Sequence, residues 1–116
     1  MIEPKRDISA QASVSAVRAH RMRALARANE VRVARARLKR RVADGDLSAA
    51  EVILAPPRFA EGWPLMQLLM SQRQWGRARA RRFLANTGID ERKPLGSLTD
   101  RQRRQLAARL TTAASD

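Results

Sequence analysis

The segment between Arg18 and Arg41 constrains the fold most, because it is strongly basic and contains neither glycine nor proline. Ten of its residues are Arg or Lys, and Glu30 is its only acidic residue. A stretch of this length without helix breakers predicts one long α-helix. Like charges along such a helix repel one another unless water, salt or a polyanion screens them. The segment therefore predicts a helix that meets DNA or RNA.

We expect this helix to begin between Ser9 and Ser15 and to end near Ala43, where Asp44 and Gly45 supply a stop signal. Its apolar residues form a stripe that is too thin for a stable coiled coil. The last three members of the stripe are expected to pack on the rest of the chain. The stripe consists of Val17, Ala24, Val31, Leu38 and Val42.

The remaining sequence predicts four shorter helices and no strand. They cover residues 46–55, a segment opened by Trp63-Pro64, residues 77–86 and a segment capped by Thr99. Ser48 with Glu51, and Thr99 with Gln102, have the spacing of capping boxes. The predicted fold is all-α, with a long basic helix over 11–44 and a small helical domain over 45–111. Residues 1–10 and 112–116 are expected to be disordered tails.

The charge balance favours the same partner. The chain has 24 Lys and Arg against 11 Asp and Glu, a formal charge of +13, which attracts nucleic acid without sequence preference. Only Lys5, Lys39 and Lys93 are lysines, and the guanidinium of arginine can bind phosphate or guanine through two parallel donors. A high-GC coding bias would also produce this arginine excess, so composition alone does not decide the matter.

Catalysis and cofactor binding are not expected. The chain has no cysteine, and His20 is its single histidine, which excludes thiolate and multi-histidine metal sites. No nucleophile–base pair and no glycine-rich nucleotide loop is apparent. The N-terminal residues form no apolar signal core and the longest apolar run is short, so we expect no membrane span and a cytoplasmic location at the nucleoid.

The turn before the fourth helix is the first candidate binding site. Unpaired N–H groups at a helix start carry partial positive charge, and glycine allows close approach of a phosphate. Trp75 has two interpretations: it stacks on a base, or it covers the helix junction. We expect DNA contacts from Arg73, Trp75, Gly76, Arg77, Arg79 and Arg82, with Arg77 and Arg79 the most direct.

The first helix supplies a second candidate. Arg32, Arg35 and Lys39 fall on one broad face of the helix, and Arg21 joins them about three turns earlier. This face could follow a second phosphate backbone or a second duplex. A solvated face is the alternative.

Several short strings, in order, resemble the actinobacterial integration host factor family, which shares a helix-two-turns-helix element with ribosomal protein S13. The resemblance covers about residues 27–110. The strings are Arg37-Leu38-Lys39, residues 47–53, Leu68-Leu69, residues 75–80, Thr87-Gly88-Ile89 and residues 95–98.

In that family the turn typically reads Pro-Gly-Val-Gly-Lys, one further residue and Arg-Ala. Here Gly76, Arg77 and Arg79 match the second glycine, the lysine and the arginine, whereas Arg73 and Gln74 replace the proline and the first glycine. Those replacements predict a reshaped turn, with the charge of Arg73 as compensation. The resemblance implies a monomeric, nucleoid-associated protein that binds and bends double-stranded DNA and assists a site-specific recombinase or chromosome compaction.

Two alternatives stay open from the sequence. The same fold would also suit structured RNA, because the related ribosomal element binds RNA. A protein-interaction adaptor, whose long helix docks on an acidic partner, is the alternative from another class.

Overall fold

The computed structural model describes the backbone of residues 3–115 and the side chains of residues 13–113. Within these residues the fold is all-α, as the sequence predicts, and the one β-type pairing is an isolated bridge between Pro64 and Pro94. Two short 3-10 turns, Arg58–Ala60 and Leu95–Ser97, were not predicted. The α-helices are α1 (Glu3–Asp44), α2 (Ala49–Leu54), α3 (Leu65–Ser71), α4 (Arg77–Leu84) and α5 (Asp100–Ser115).

Helix α1 begins earlier than predicted, at Glu3 rather than between Ser9 and Ser15. Pro4 is tolerated because it lies in the first turn, where its missing N–H has no helical partner to lose. Residues 3–10 of the expected N-terminal tail are therefore helical, and α5 likewise continues through residue 115. Met1, Ile2 and Asp116 lie outside the described residues.

The chain divides within α1, and not at its end. Residues up to Val33 form one compact unit, and residues from Ala34 onward form the other. The last part of α1 belongs to the second unit because Leu38 and Val42 are buried in its core. In the first unit Val17 is 57% exposed. Val31, which was expected to pack on the rest of the chain, belongs to this first unit and is half-buried.

The core of the second unit is built around α3. Leu65, Leu68 and Leu69 are fully buried. Helix α2 packs on α5, and α3 packs on α4. Leu54 is 50% exposed, because Val52 and Ile53 form the buried face of the short helix α2.

Local signals in the sequence set the helix ends. Ser48 and Glu51 form the predicted capping box of α2, and Thr99 and Gln102 form that of α5, with N···O distances of 3.0 and 3.1 Å. Gly45 follows α1 with a φ of +83°, the left-handed conformation that favours glycine. The second unit thus has side-chain caps at the starts of α2 and α5, and it contains the turn between α3 and α4.

Candidate nucleic-acid interface

The turn between α3 and α4 is closed by its own backbone. The N–H of Gln72 donates to the carbonyl of Leu69 at 3.3 Å, and the N–H of Trp75 donates to the carbonyl of Gln72 at 3.1 Å. Gln74 has a φ of +68°, in the region that glycine prefers. The turn therefore keeps a left-handed residue even though glycine is absent from that position.

Gly76 is the N-cap residue of α4, and the fold does not require a glycine there. Its backbone is extended, with φ −93° and ψ −177°, which any residue adopts. A Cβ atom at this position would meet nothing within 4 Å. No side chain caps the helix start. The first turn of α4 therefore has no side-chain cap, and the space at the missing Cβ of Gly76 is open.

Trp75 covers the helix junction. Its side chain is half-buried against the core, and its ring meets that of Phe83 edge-on, with centroids 5.5 Å apart and an interplanar angle of 72°. This arrangement matches the preferred geometry of aromatic pairs. The ring is held by the protein, which favours the covering role over stacking on a base.

Arg79 lies over the face of the same indole. Its Cζ atom is 4.4 Å from the ring centroid, within the range of a cation–π interaction. The residue itself is exposed. The guanidinium is thus held over a ring that itself packs against the core.

Arg81 is paired with an acidic residue. Its guanidinium donates to both carboxylate oxygens of Glu91, at 3.0 and 3.3 Å. This hydrogen bonding holds the pKa of Glu91 below its ordinary value and raises the pKa of Arg81. The sequence gives no signal for this pair, because the partners are ten residues apart.

Glu91 also feels the charge of Arg77, which lowers the pKa of the carboxyl further. Arg77 and Arg81 therefore share one side of α4, as their spacing predicts. Among the described residues, the side chains of Arg73, Arg77 and Arg82 are exposed and form no hydrogen bond or ion pair. Their cationic groups remain open to a ligand.

The predicted face of α1 is divided by the fold. Arg35 is half-buried, and its Nε atom donates to the carbonyl of Phe59 at 2.9 Å. Lys39, one turn later, is exposed. Arg32 lies in the other unit and is also exposed. Arg35 therefore has a structural task in addition to its charge, which its sequence position did not reveal.

Other types of site find no support in the described part of the chain. Residues 13–113 contain no group of three or more His, Cys, Asp or Glu side chains that could hold a metal ion. No described helix is long and apolar enough to cross a membrane. The basic surface is the feature that calls for a ligand.

Comparison with known proteins gives one informative similarity. No family model matches the chain, and no curated protein matches it significantly. The fold is similar to that of sIHF in a structure of sIHF bound to an 8-base-pair palindromic DNA, with a TM-score of 0.66 and 26% sequence identity. The similarity covers 72% of this chain and 97% of the sIHF chain. The chain thus has an integration-host-factor-like fold.

Proposed function

We propose that this protein binds duplex DNA as an architectural protein of the nucleoid. It holds phosphates through the turn before α4, through the exposed arginines of α4 and through the basic helix α1. Because phosphates carry no sequence information, its sequence preference is low. It is neither an enzyme nor a cofactor-dependent protein, and it acts as a monomer in the cytoplasm.

The observation that carries the proposal is the open start of α4. Gly76 leaves backbone N–H groups uncovered, although neither its φ nor its surroundings require a glycine. Exposed guanidinium groups of Arg77 and Arg79 follow at once. Backbone donors, a helix dipole and arginines at one place are what an anionic phosphate backbone needs.

The similarity to DNA-bound sIHF supports duplex DNA as the ligand. Together with the strings described above, it also favours kinship with the actinobacterial integration host factors. Bending of the duplex, assistance to a site-specific recombinase and compaction of the chromosome belong to the same proposal. Each follows from the family resemblance, and none follows from the residues alone.

Binding is tested by fluorescence anisotropy of a labelled duplex of about 20 base pairs at several salt concentrations. If the protein neutralises several phosphates, log Kd rises with log salt by about 0.9 per contact. Replacing Arg77 and Arg79 with alanine together is expected to weaken binding and to lower the slope by about 1.8.

A matched control removes the same charge elsewhere. Arg101 and Arg104 lie exposed on α5 and form no ion pair among the described residues. Their double alanine variant is expected to retain most of the salt slope. Equal weakening by both double variants would mean that only net charge matters. Binding of an RNA hairpin more tightly than DNA of equal length would transfer the function to structured RNA.

A further inference from the structure

We infer that Trp75 is a positioning residue, which holds the guanidinium of Arg79 on its ring face ready for a phosphate. The inference rests on the proposed function and deepens it. It assigns the indole a role in binding without direct contact between the indole and DNA.

The geometry leaves the donors of Arg79 available. A guanidinium over an aromatic face uses its flat side for the cation–π contact, whereas its N–H groups point outward from its edge. The 4.4 Å separation from the Trp75 centroid fits this arrangement. Arg79 can therefore stay on the indole while it donates two parallel hydrogen bonds to a phosphate.

The indole can serve as a support because it is itself fixed. It is half-buried against the core, and Phe83 meets it edge-on at 5.5 Å. Arg79 and Phe83 lie four residues apart on α4, so the same helix supplies both the ring that braces the indole and the cation that rests on it. The three side chains form one cluster, Phe83–Trp75–Arg79.

The other arginines of α4 lack such support. Arg81 is tied to Glu91, and Arg77 and Arg82 have no aromatic partner among the described residues. A free arginine side chain loses rotamer freedom when it binds, which weakens binding by about threefold to tenfold per side chain. Arg79 has lost part of that freedom before DNA arrives.

The test is a double-mutant cycle on DNA affinity with Trp75→Leu, Arg79→Ala and the double variant. Trp75→Leu is expected to weaken binding about threefold to tenfold, the range that one ordered side chain implies. The double variant is expected to bind no more weakly than Arg79→Ala. Trp75→Phe, which keeps an aromatic face, is expected to recover part of the loss.

A second readout needs no DNA. Ring currents of Trp75 should shift the side-chain protons of Arg79 upfield in NMR spectra of the free protein, and Trp75→Leu should remove the shift. Trp63→Leu serves as the packing control: it makes the same substitution at a buried core tryptophan that has no cation–π contact among the described residues, so it is expected to reduce thermal stability more than DNA affinity.

Additive effects of Trp75→Leu and Arg79→Ala, or equal losses of affinity in Trp75→Leu and in folded Trp63→Leu, would overturn the inference. Failure of the proposed function looks different, because the unmodified protein would then show no salt-dependent binding to the duplex. Wild-type binding with an unchanged Kd in Trp75→Leu would refute the positioning role alone.

Discussion

Substitution of Gly76 by alanine separates DNA binding from stability. The position has an extended backbone and open space around the missing Cβ, so alanine introduces no clash. Alanine caps a helix start less well than glycine, but it also restricts the unfolded chain, and these effects oppose each other. The free energy of unfolding is expected to change by no more than about 0.5 kcal/mol.

Binding should respond more strongly. The new methyl group occupies the approach to the first N–H groups of α4, where we place a phosphate. A hydrogen bond to a charged group contributes about 1.5–3 kcal/mol. Loss of one such bond corresponds to weakening of the Kd by about tenfold or more, at 1.4 kcal/mol per factor of ten.

The assay pairs anisotropy titrations with urea unfolding for Gly76→Ala and for Gly88→Ala. Gly88 has a φ of +71°, so alanine there is expected to lower the free energy of unfolding by about 1–2 kcal/mol. Its DNA affinity, measured where the variant is folded, is expected to stay close to that of the wild type. The two variants should therefore give opposite patterns.

Unchanged DNA affinity in Gly76→Ala, with stability also unchanged, would refute the phosphate site at the start of α4. A large loss of stability in this variant would contradict the argument that alanine fits at position 76 without a clash.

Further predictions concern single residues. Gln74→Gly relieves a left-handed φ of +68° and is expected to raise the free energy of unfolding by about 0.5–1 kcal/mol. A lower melting temperature in this variant would contradict the prediction. Glu91→Gln frees Arg81 and should tighten DNA binding, measured by anisotropy. Arg81 lowers the pKa of Glu91, so the pair stabilises the fold above the ordinary glutamate pKa of about 4.3 and loses that effect as the pH falls through the lower pKa of the folded state. The melting temperature of the variant should therefore depend less on pH in the acidic range than that of the wild type. Arg35→Ala removes the hydrogen bond to the Phe59 carbonyl and should lower the free energy of unfolding by about 0.5–1.5 kcal/mol. Arg32→Ala makes the same charge change and should leave this free energy almost unchanged. Equal midpoints of urea unfolding for the two variants would refute the structural role of Arg35.

Patterns within a few residues predicted most helix ends. The capping boxes at Ser48 and Thr99 and the stop at Gly45 are confirmed because each depends on hydrogen bonds or φ angles between near neighbours. The predicted start of α1, between Ser9 and Ser15, is too late, because Pro4 is also compatible with the first turn of a helix. Even local rules therefore fail where one residue type has two permitted positions.

For the candidate binding surface, the sequence likewise predicts local properties and not the contacts between side chains. Sequence alone determined that α4 and α1 are rich in arginine and that Gly76 opens α4, since charge and residue type are local properties. It could not assign the arginines to different tasks. Glu91 pairs with Arg81, and Phe59 accepts from Arg35, only after the elements that carry these residues are packed together. Trp75 is four residues from Arg79, but its ring is a fixed support only because it packs against the core.

Residue types and their local spacing thus suffice to predict the helical fold class, the helix caps and a basic character that favours a polyanion. Which cations stay free and which are held by partners depends on how the helices and loops pack. Hydrogen bonds, ion pairs and cation–π contacts act over a few ångströms, whereas the residues that form them can be far apart in the chain. Arg35 and Phe59, 24 residues apart, show this most clearly.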